Sequence, residues 1–339
     1  MPPTPVSRTL SIALLIADTP AKPVLESKGD YLAIYTTWLQ RSLKSIKRHH
    51  WQDKFTLDIR PFDVIKGQYP SDGQLKDGLW DAVMITGSAS TVYGDVPWVK
   101  KLSEWIVDLA EQHPLVRICG YCWGHQLIAQ AFGGKVIENP EGWELGVYDC
   151  ELTEDGEEVF GFTKWDLEEE SAGGKLQEVS ESGEAESETK SVRLQQVHKD
   201  TVVEMPDDFN GSAFLKLAST PKCSIHSLAL KYATDSPPIP SIAGTSDFIA
   251  FDTYSTPTSS GPSPPRGLQI LTVQGHPEFT TEIVEMLIEA KTEMGNAPEE
   301  IKEEASKRAK REDDALKVGR RVLCMLGVEE AREEGGDSM

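Results

Sequence analysis

With 339 residues the chain is long enough for one large domain or two small ones, with ample core in either case. Its formal net charge of −21 at pH 7 speaks against nucleic acid and anionic membranes as partners. No apolar stretch approaches the length of a membrane span.

Much of the acidity is gathered in tracts that read as solvated, at 168–170, 178–188, 299–304 and 329–337. The apolar run Ile12 to Ala17 is too short and too poorly flanked for a signal peptide. The five cysteines are an odd number without framework spacing, which fits a reducing compartment and leads us to expect the cytoplasm.

Leu10 to Ile16 reads as a buried strand, followed by a loop with prolines and glycines and then a helical pattern from Tyr31 to Ile46. Phe55 to Phe62 alternates like a second strand and Ala82 to Thr86, bounded by Gly87, like a third. A helix entered through Pro97 runs to Leu109. Alternating elements of this length imply right-handed βαβ units around a parallel sheet, with active groups at the carboxyl ends of the strands.

Beyond Gly134 we expect strands at Lys135 to Ile137, Gly146 to Glu151, Ser191 to Val197, Phe214 to Leu217, Ser224 to Tyr232 and Leu268 to Val273. Two insertions interrupt them: 156–190 is acidic and poor in apolar residues, reading as a mobile segment, and 235–266 is rich in Pro, Ser and Thr. Glu278 to Ala290 is helical. The reading ends with a charged C-terminal helix over 297–326 and a disordered tail over 327–339.

The chemistry gathers at 117–134, where Gly120-Tyr121-Cys122-Trp123-Gly124 lies between an apolar strand and a helical pattern. That is the cysteine counterpart of the nucleophile elbow, whose small neighbours let a strained turn pass close to the backbone. Cys122 then sits at a helix N-terminus, where the dipole favours a thiolate. A thiolate needs a base, and the base needs a group to hold its tautomer. Gln274-Gly275-His276-Pro277-Glu278 supplies both from the end of one strand. In an extended segment positions 276 and 278 face the same way, which makes Cys122 the nucleophile, His276 the base and then acid, and Glu278 the orienting carboxylate. The N–H groups of Trp123 and Gly87 are the expected oxyanion donors, each worth about 3 kcal/mol in a transition state.

Together, Gly120-Tyr121-Cys122-Trp123-Gly124-His125-Gln126 and Gly275-His276-Pro277-Glu278 resemble the class I glutamine amidotransferases over most of 11–290 outside the insertions. Thr86-Gly87-Ser88, Gln195-Gln196-Val197-His198-Lys199-Asp200 and Cys223-Ser224-Ile225-His226 resemble the stand-alone branch, which includes plant γ-glutamyl peptidases and fungal relatives. The resemblance implies a flavodoxin-like α/β fold over 9–292, with a mostly parallel central sheet and helices on both faces. It also implies cleavage of a γ-glutamyl amide through a thioester, without metal or cofactor. By the same resemblance Gln126 and the backbone of Val197, His198 and Lys199 bind the small-molecule γ-glutamyl substrate, and a separate synthetase is a candidate partner. Tyr121 departs from the small aliphatic residue usual before the nucleophile.

Blander readings stand beside this one. Cys119 and Cys122 also form a Cys-x-x-Cys pair, the spacing of a dithiol oxidoreductase. A catalytically idle scaffold whose acidic segments recruit partners is the other alternative, and His198 reads equally as a structural loop histidine. No Gly-x-x-x-x-Gly-Lys-Ser/Thr loop is present for a nucleotide.

Overall fold

Short apolar runs bounded by turns dictate the centre of the molecule, because a strand buried on both faces needs apolar residues at every position. The computed structural model describes residues 7–46, 54–161, 190–232 and 267–328. Its strands are β1 (Ser7–Ile16), β2 (Lys54–Asp63), β3 (Ala82–Ile85), β4 (Arg117–Tyr121), β5 (Lys135–Glu138), β6 (Glu144–Leu152), β7 (Ser191–His198), β8 (Asp200–Glu204), β9 (Phe214–Ser219), β10 (Ser227–Lys231) and β11 (Leu268–Val273). Its α-helices are α1 (Lys22–Lys28), α2 (Tyr31–Ser45), α3 (Asp72–Lys76), α4 (Pro97–Gln112), α5 (Trp123–Ala131), α6 (Glu154–Phe160), α7 (Thr281–Glu293), α8 (Lys302–Ala309) and α9 (Ala315–Met325).

Nine strands form one sheet in the order β2-β1-β3-β4-β11-β10-β9-β6-β7. The first five are parallel throughout, in the doubly wound order of flavodoxin-like folds. From β11 onward every pairing is antiparallel, so the sheet continues as a meandering extension. β5 and β8 pair separately as a two-stranded ribbon.

Alternation along the parallel strands divides the core in two. Leu10, Ile12 and Leu14 of β1, with Met84 and Tyr121, meet Tyr35, Trp38 and Leu39 of α2 and Val318 and Val322 of α9 on one face. Ala13 and Leu15, with Val83, Ile85 and Ile118, meet Leu102, Ile106 and Leu109 of α4 and Leu127 and Ile128 of α5 on the other. Period-two side chains on fully buried strands account for this division.

Where a loop is expected after β1, α1 forms instead, with Pro23 in its first turn, a position at which the missing N–H costs nothing. The start of the expected acidic insertion, from Gly156 to Phe160, belongs to α6; most of that segment, the Pro/Ser-rich insertion and the tail beyond Val328 lie outside the described residues.

The single charged helix expected over 297–326 is a 3₁₀ turn (Glu299–Ile301) followed by α8 and α9. The chain breaks between them because Asp314 is drawn to β7. Its N–H donates to the Arg193 carbonyl at 2.8 Å, and its carboxylate accepts from the Arg193 N–H and guanidinium at 2.8 and 3.2 Å. α9 is a core helix rather than a solvated one. Val318 to Met325 are buried, and Arg321 satisfies its charge on the Phe160 and Gly161 carbonyls at the end of α6.

Burial opposes ionisation of Asp314, but Arg193 and Lys317 outweigh it and hold the carboxyl below its usual range. A carboxylate depressed in this way stabilises the fold above its unfolded pKa of about 3.9, and that contribution is lost as pH falls through the lower folded value. Asp314→Asn, which leaves Arg193 half-matched, is expected to cost about 3–5 kcal/mol at pH 7, less at pH 3. Urea denaturation at both pH values checks this; equal midpoints for variant and parent at pH 7 would contradict the assigned role of the pair.

Candidate active site

At the end of β4 the backbone turns sharply into α5, with Cys122 at φ 49° and ψ −104°. A left-handed φ on a non-glycine residue costs on the order of 1–3 kcal/mol and persists only where neighbours over-determine it. Here the Cys122 N–H donates to the Val273 carbonyl at 2.9 Å, and the Cys122 carbonyl accepts from the Gln126 N–H at 3.1 Å. The flanking glycines are required by close approach. A Cβ on Gly120 would lie 2.6 Å from the Gly124 carbonyl oxygen, and one on Gly124 would lie 2.6 Å from the Ile85 carbonyl oxygen. The Trp123 N–H belongs to the first turn of α5, which has no helical acceptor.

β11 runs parallel beside β4 with Val273 opposite Tyr121, so the residues that follow both strands emerge together. His276 is reached three residues later and is anchored by its own N–H, which donates to the Gln195 carbonyl of β7 at 2.8 Å. The expected extended geometry at His276-Pro277-Glu278 is replaced by a turn closed by the Phe279 N–H on the His276 carbonyl at 3.2 Å. The turn brings the two side chains together: His276 Nδ1 lies 2.8 Å from Glu278 Oε1. The imidazole stacks on Phe279 with ring centroids 4.2 Å apart, which fixes its plane.

Gly87 closes the group. A Cβ there would stand 3.0 Å from His276 Cε1 and 3.8 Å from Cys122 Cβ, so the backbone after β3 touches both. Cys122, His276 and Glu278 are all buried. Burial alone would lower the His276 pKa, but the neighbouring Cys122 and Glu278, by charge and hydrogen bond, outweigh it and raise the pKa to about 10.

Tyr35 of α2 is a member that sequence reasoning missed. Its hydroxyl donates to Glu278 Oε1 at 3.3 Å, and burial together with Glu278 pushes its pKa well above the ordinary phenol value, so it remains a donor. The available signal was the aromatic i,i+4 pair Tyr31 and Tyr35 on the apolar side of α2. Tyr121, the departure before Cys122, packs edge-on against Tyr35 and Trp38 at centroid distances of 5.4 and 5.3 Å. Its ring thus props the helix that supports Glu278.

The expected substrate contacts form a second, adjoining group. Gln126 Nε2 donates to the Asp200 carbonyl and to Gln274 Oε1, both at 3.0 Å. His198 sets Nδ1 3.0 Å from that same Asp200 carbonyl and Nε2 2.9 Å from Glu144 Oε2, the latter a close contact without hydrogen-bond angles. Val197 is buried opposite Leu145. Lys199 turns its side chain to Glu138 of β5 and its carbonyl to the Asn139 N–H. The polar side chains of this group are thus engaged with the protein itself.

Cys119 is sealed in the core and burial raises its thiol to about 12, so it lacks the thiolate character of a redox dithiol. None of the five cysteines is in a disulfide, and all five are buried.

A family model, glutamine amidotransferase class-I, matches residues 44–229, more than half of the chain. The chain belongs to the class-I glutamine amidotransferase family. It is 28% identical to a glutamine amidotransferase-like protein of Schizosaccharomyces pombe over 305 residues, 89% of this chain and 93% of that one. Gamma-glutamyl peptidase 3 of Arabidopsis thaliana is 28% identical over 169 residues, 50% of this chain and 56% of the peptidase. A solved glutamine amidotransferase of Thermotoga maritima shares the fold with a TM-score of 0.53 at 15% identity, covering 94% of this chain and 99% of that one. The family match spans the Cys122 elbow and stops short of β11.

For this class-I amidotransferase family member the elbow predicts a sharp steric contrast. Gly124→Ala pushes α5 away from β3 and is expected to cost about 1–3 kcal/mol, whereas Gly73→Ala, with open space around its Cβ position, is expected to be near neutral. Chemical denaturation of the two variants checks this, and equal stabilities would contradict the packing.

Proposed function

We propose that the chain hydrolyses γ-glutamyl amides with Cys122 as nucleophile, His276 as proton carrier and Glu278 as orienting carboxylate. The observation that carries the proposal is the convergence of these groups at the carboxyl ends of adjacent parallel strands, with His276 Nδ1 held by Glu278 at 2.8 Å beside Cys122. Membership of the family and relatives named gamma-glutamyl peptidase support the same chemistry.

With Nδ1 committed to Glu278, Nε2 is the nitrogen that serves the sulfur. The thiolate attacks the γ-carbonyl carbon, and the oxyanion is received by the N–H groups of Gly87 and Trp123. The C–N bond breaks as the imidazolium gives its proton to the departing amine. Water then attacks the thioester and returns a proton to His276, and the C–S bond breaks to release glutamate and the thiolate. From glutamine the departing amine is ammonia, which a separate synthetase would consume; from a γ-glutamyl peptide it is the next residue. The reducing cytoplasm suits a cysteine that must stay free.

Purified protein should release glutamate from glutamine or glutathione, Cys122→Ala should lose at least about 10³-fold in kcat/KM, and Cys119→Ser should retain activity. Absence of release from either substrate, or activity surviving in Cys122→Ala, would sink the proposal.

The raised His276 pKa predicts that the alkaline limb of the kcat/KM profile falls near pH 10, as the cysteine–imidazole pair loses its proton. Glu278→Gln removes one of the charges that raise it and should move this limb to lower pH. An unmoved limb would show that Glu278 does not act through His276.

A further inference from the structure

Helix α7 follows the turn that carries Glu278, and its two ends are tied to separate elements. In the first turn, Glu282 pairs with Lys28 of α1 at 3.2 Å. At the other end, Lys291 Nζ stands 4.6 Å from the ring centroid of Trp143, whose indole N–H donates to the Asn296 carbonyl at 2.9 Å. Trp143 immediately precedes Glu144, which is paired with His198 across β6 and β7. The helix therefore runs from the turn that carries Glu278 toward β6, the strand paired with His198, and packs Ile283, Val284 and Ile288 into the core face shared with α2 and α9.

Lys291 is the cation this arrangement directs at the site. It is half-buried, and among the described residues no carboxylate lies within ion-pair distance of it. Its charge interacts with those of Cys122 and Asp18. Asp18, just beyond β1, is not within ion-pair distance of Lys291, and its two carboxylate oxygens accept the N–H groups of Thr19 and Ala89, each at 2.7 Å. Burial lowers the Lys291 pKa, with Cys122 and Asp18 acting against the shift. A partly desolvated ammonium resting on an indole, with no carboxylate within ion-pair distance among the described residues, has the character of an anion-binding group.

We propose that Lys291 is a specificity residue that receives the α-carboxylate of the γ-glutamyl group while its γ-carbonyl faces Cys122. The assignment rests on the γ-glutamyl reading of the Cys122 site. It explains why a flexible lysine is held over Trp143: the aromatic face limits the positions the ammonium can take without consuming its hydrogen-bond donors. The alternative task for such a cation is to favour the Cys122 thiolate directly, and the two tasks separate experimentally because only one depends on a carboxylate in the ligand.

The test is titration calorimetry in the Cys122→Ala background, which binds without turning over, using L-glutamine and 4-aminobutanamide, which is glutamine without its α-carboxylate. Lys291→Met keeps the aliphatic stem on Trp143 and is expected to weaken L-glutamine about 10- to 100-fold, with a far smaller effect on 4-aminobutanamide. Lys291→Arg should retain most of the affinity, and Lys291→Gln serves as a second neutral variant should Lys291→Met fold poorly. L-Glutamine unaffected by loss of the charge, both ligands weakened alike, or no binding of L-glutamine to Cys122→Ala alone would each overturn the proposal. If the ligand contrast appears while the chain with Cys122 intact releases no glutamate, the Lys291 site stands and the amide-cleavage reading falls.

Discussion

The site depends on one backbone pairing, the parallel register that sets Val273 of β11 against Tyr121 of β4. Strands so placed deliver their following residues to the same end of the sheet, and the Cys122 N–H is bonded directly to the Val273 carbonyl. A thiol and an imidazole separated by more than 150 residues of chain are thereby fixed relative to each other by ladder hydrogen bonds rather than by loops. Side chains borne on a sheet edge hold tighter geometry than side chains on mobile connections, which is what proton transfer at hydrogen-bond range requires.

Around that pairing the structure invests in keeping charge where water is scarce. Glu278 is buried with one oxygen shared between His276 and Tyr35, so removal of either partner would leave a carboxylate in low dielectric. The C-terminal helices serve the same end at a distance. α8 lies so close to β6 that a Cβ on Gly146 would stand 2.7 Å from the Ala305 carbonyl oxygen, and Gln195 is gripped on both sides, its amide by the Ala309 carbonyl and its own carbonyl by the His276 N–H. The chain beyond α7 is thus a brace for β7, the strand on which the backbone of His276 rests.

Much of this was legible in the sequence. The elbow glycines, the buried run Leu268 to Val273 and the His-Pro-Glu that follows it carry local requirements strong enough to read one residue at a time: steric at Gly120 and Gly124, hydrophobic along β11. Other features depended on tertiary context. The helix over 297–326 reads as charged because Arg320 and Arg321 are, yet both are buried, and Arg321 finds carbonyls at the end of α6 that no periodicity announces. Extended geometry at 276–278 was a reasonable expectation for residues following a strand, but a hydrogen bond from Phe279 to His276 makes it a turn. Tyr35 and Lys291 look like ordinary helix residues until α2 and α7 are seen packed on the sheet, which sets Tyr35 against Glu278 and Lys291 against Trp143.

The account's central claim is that the sulfur at the elbow becomes covalently acylated. Acid quench of the protein during incubation with a γ-glutamyl amide, followed by peptide mass spectrometry, tests it most directly. A glutamyl group on the peptide at Cys122, absent from Cys119 and from protein quenched without substrate, is the predicted result. Glutamate release that proceeds with the adduct on another residue, or with none even when hydrolysis is slowed by replacing His276, would contradict it.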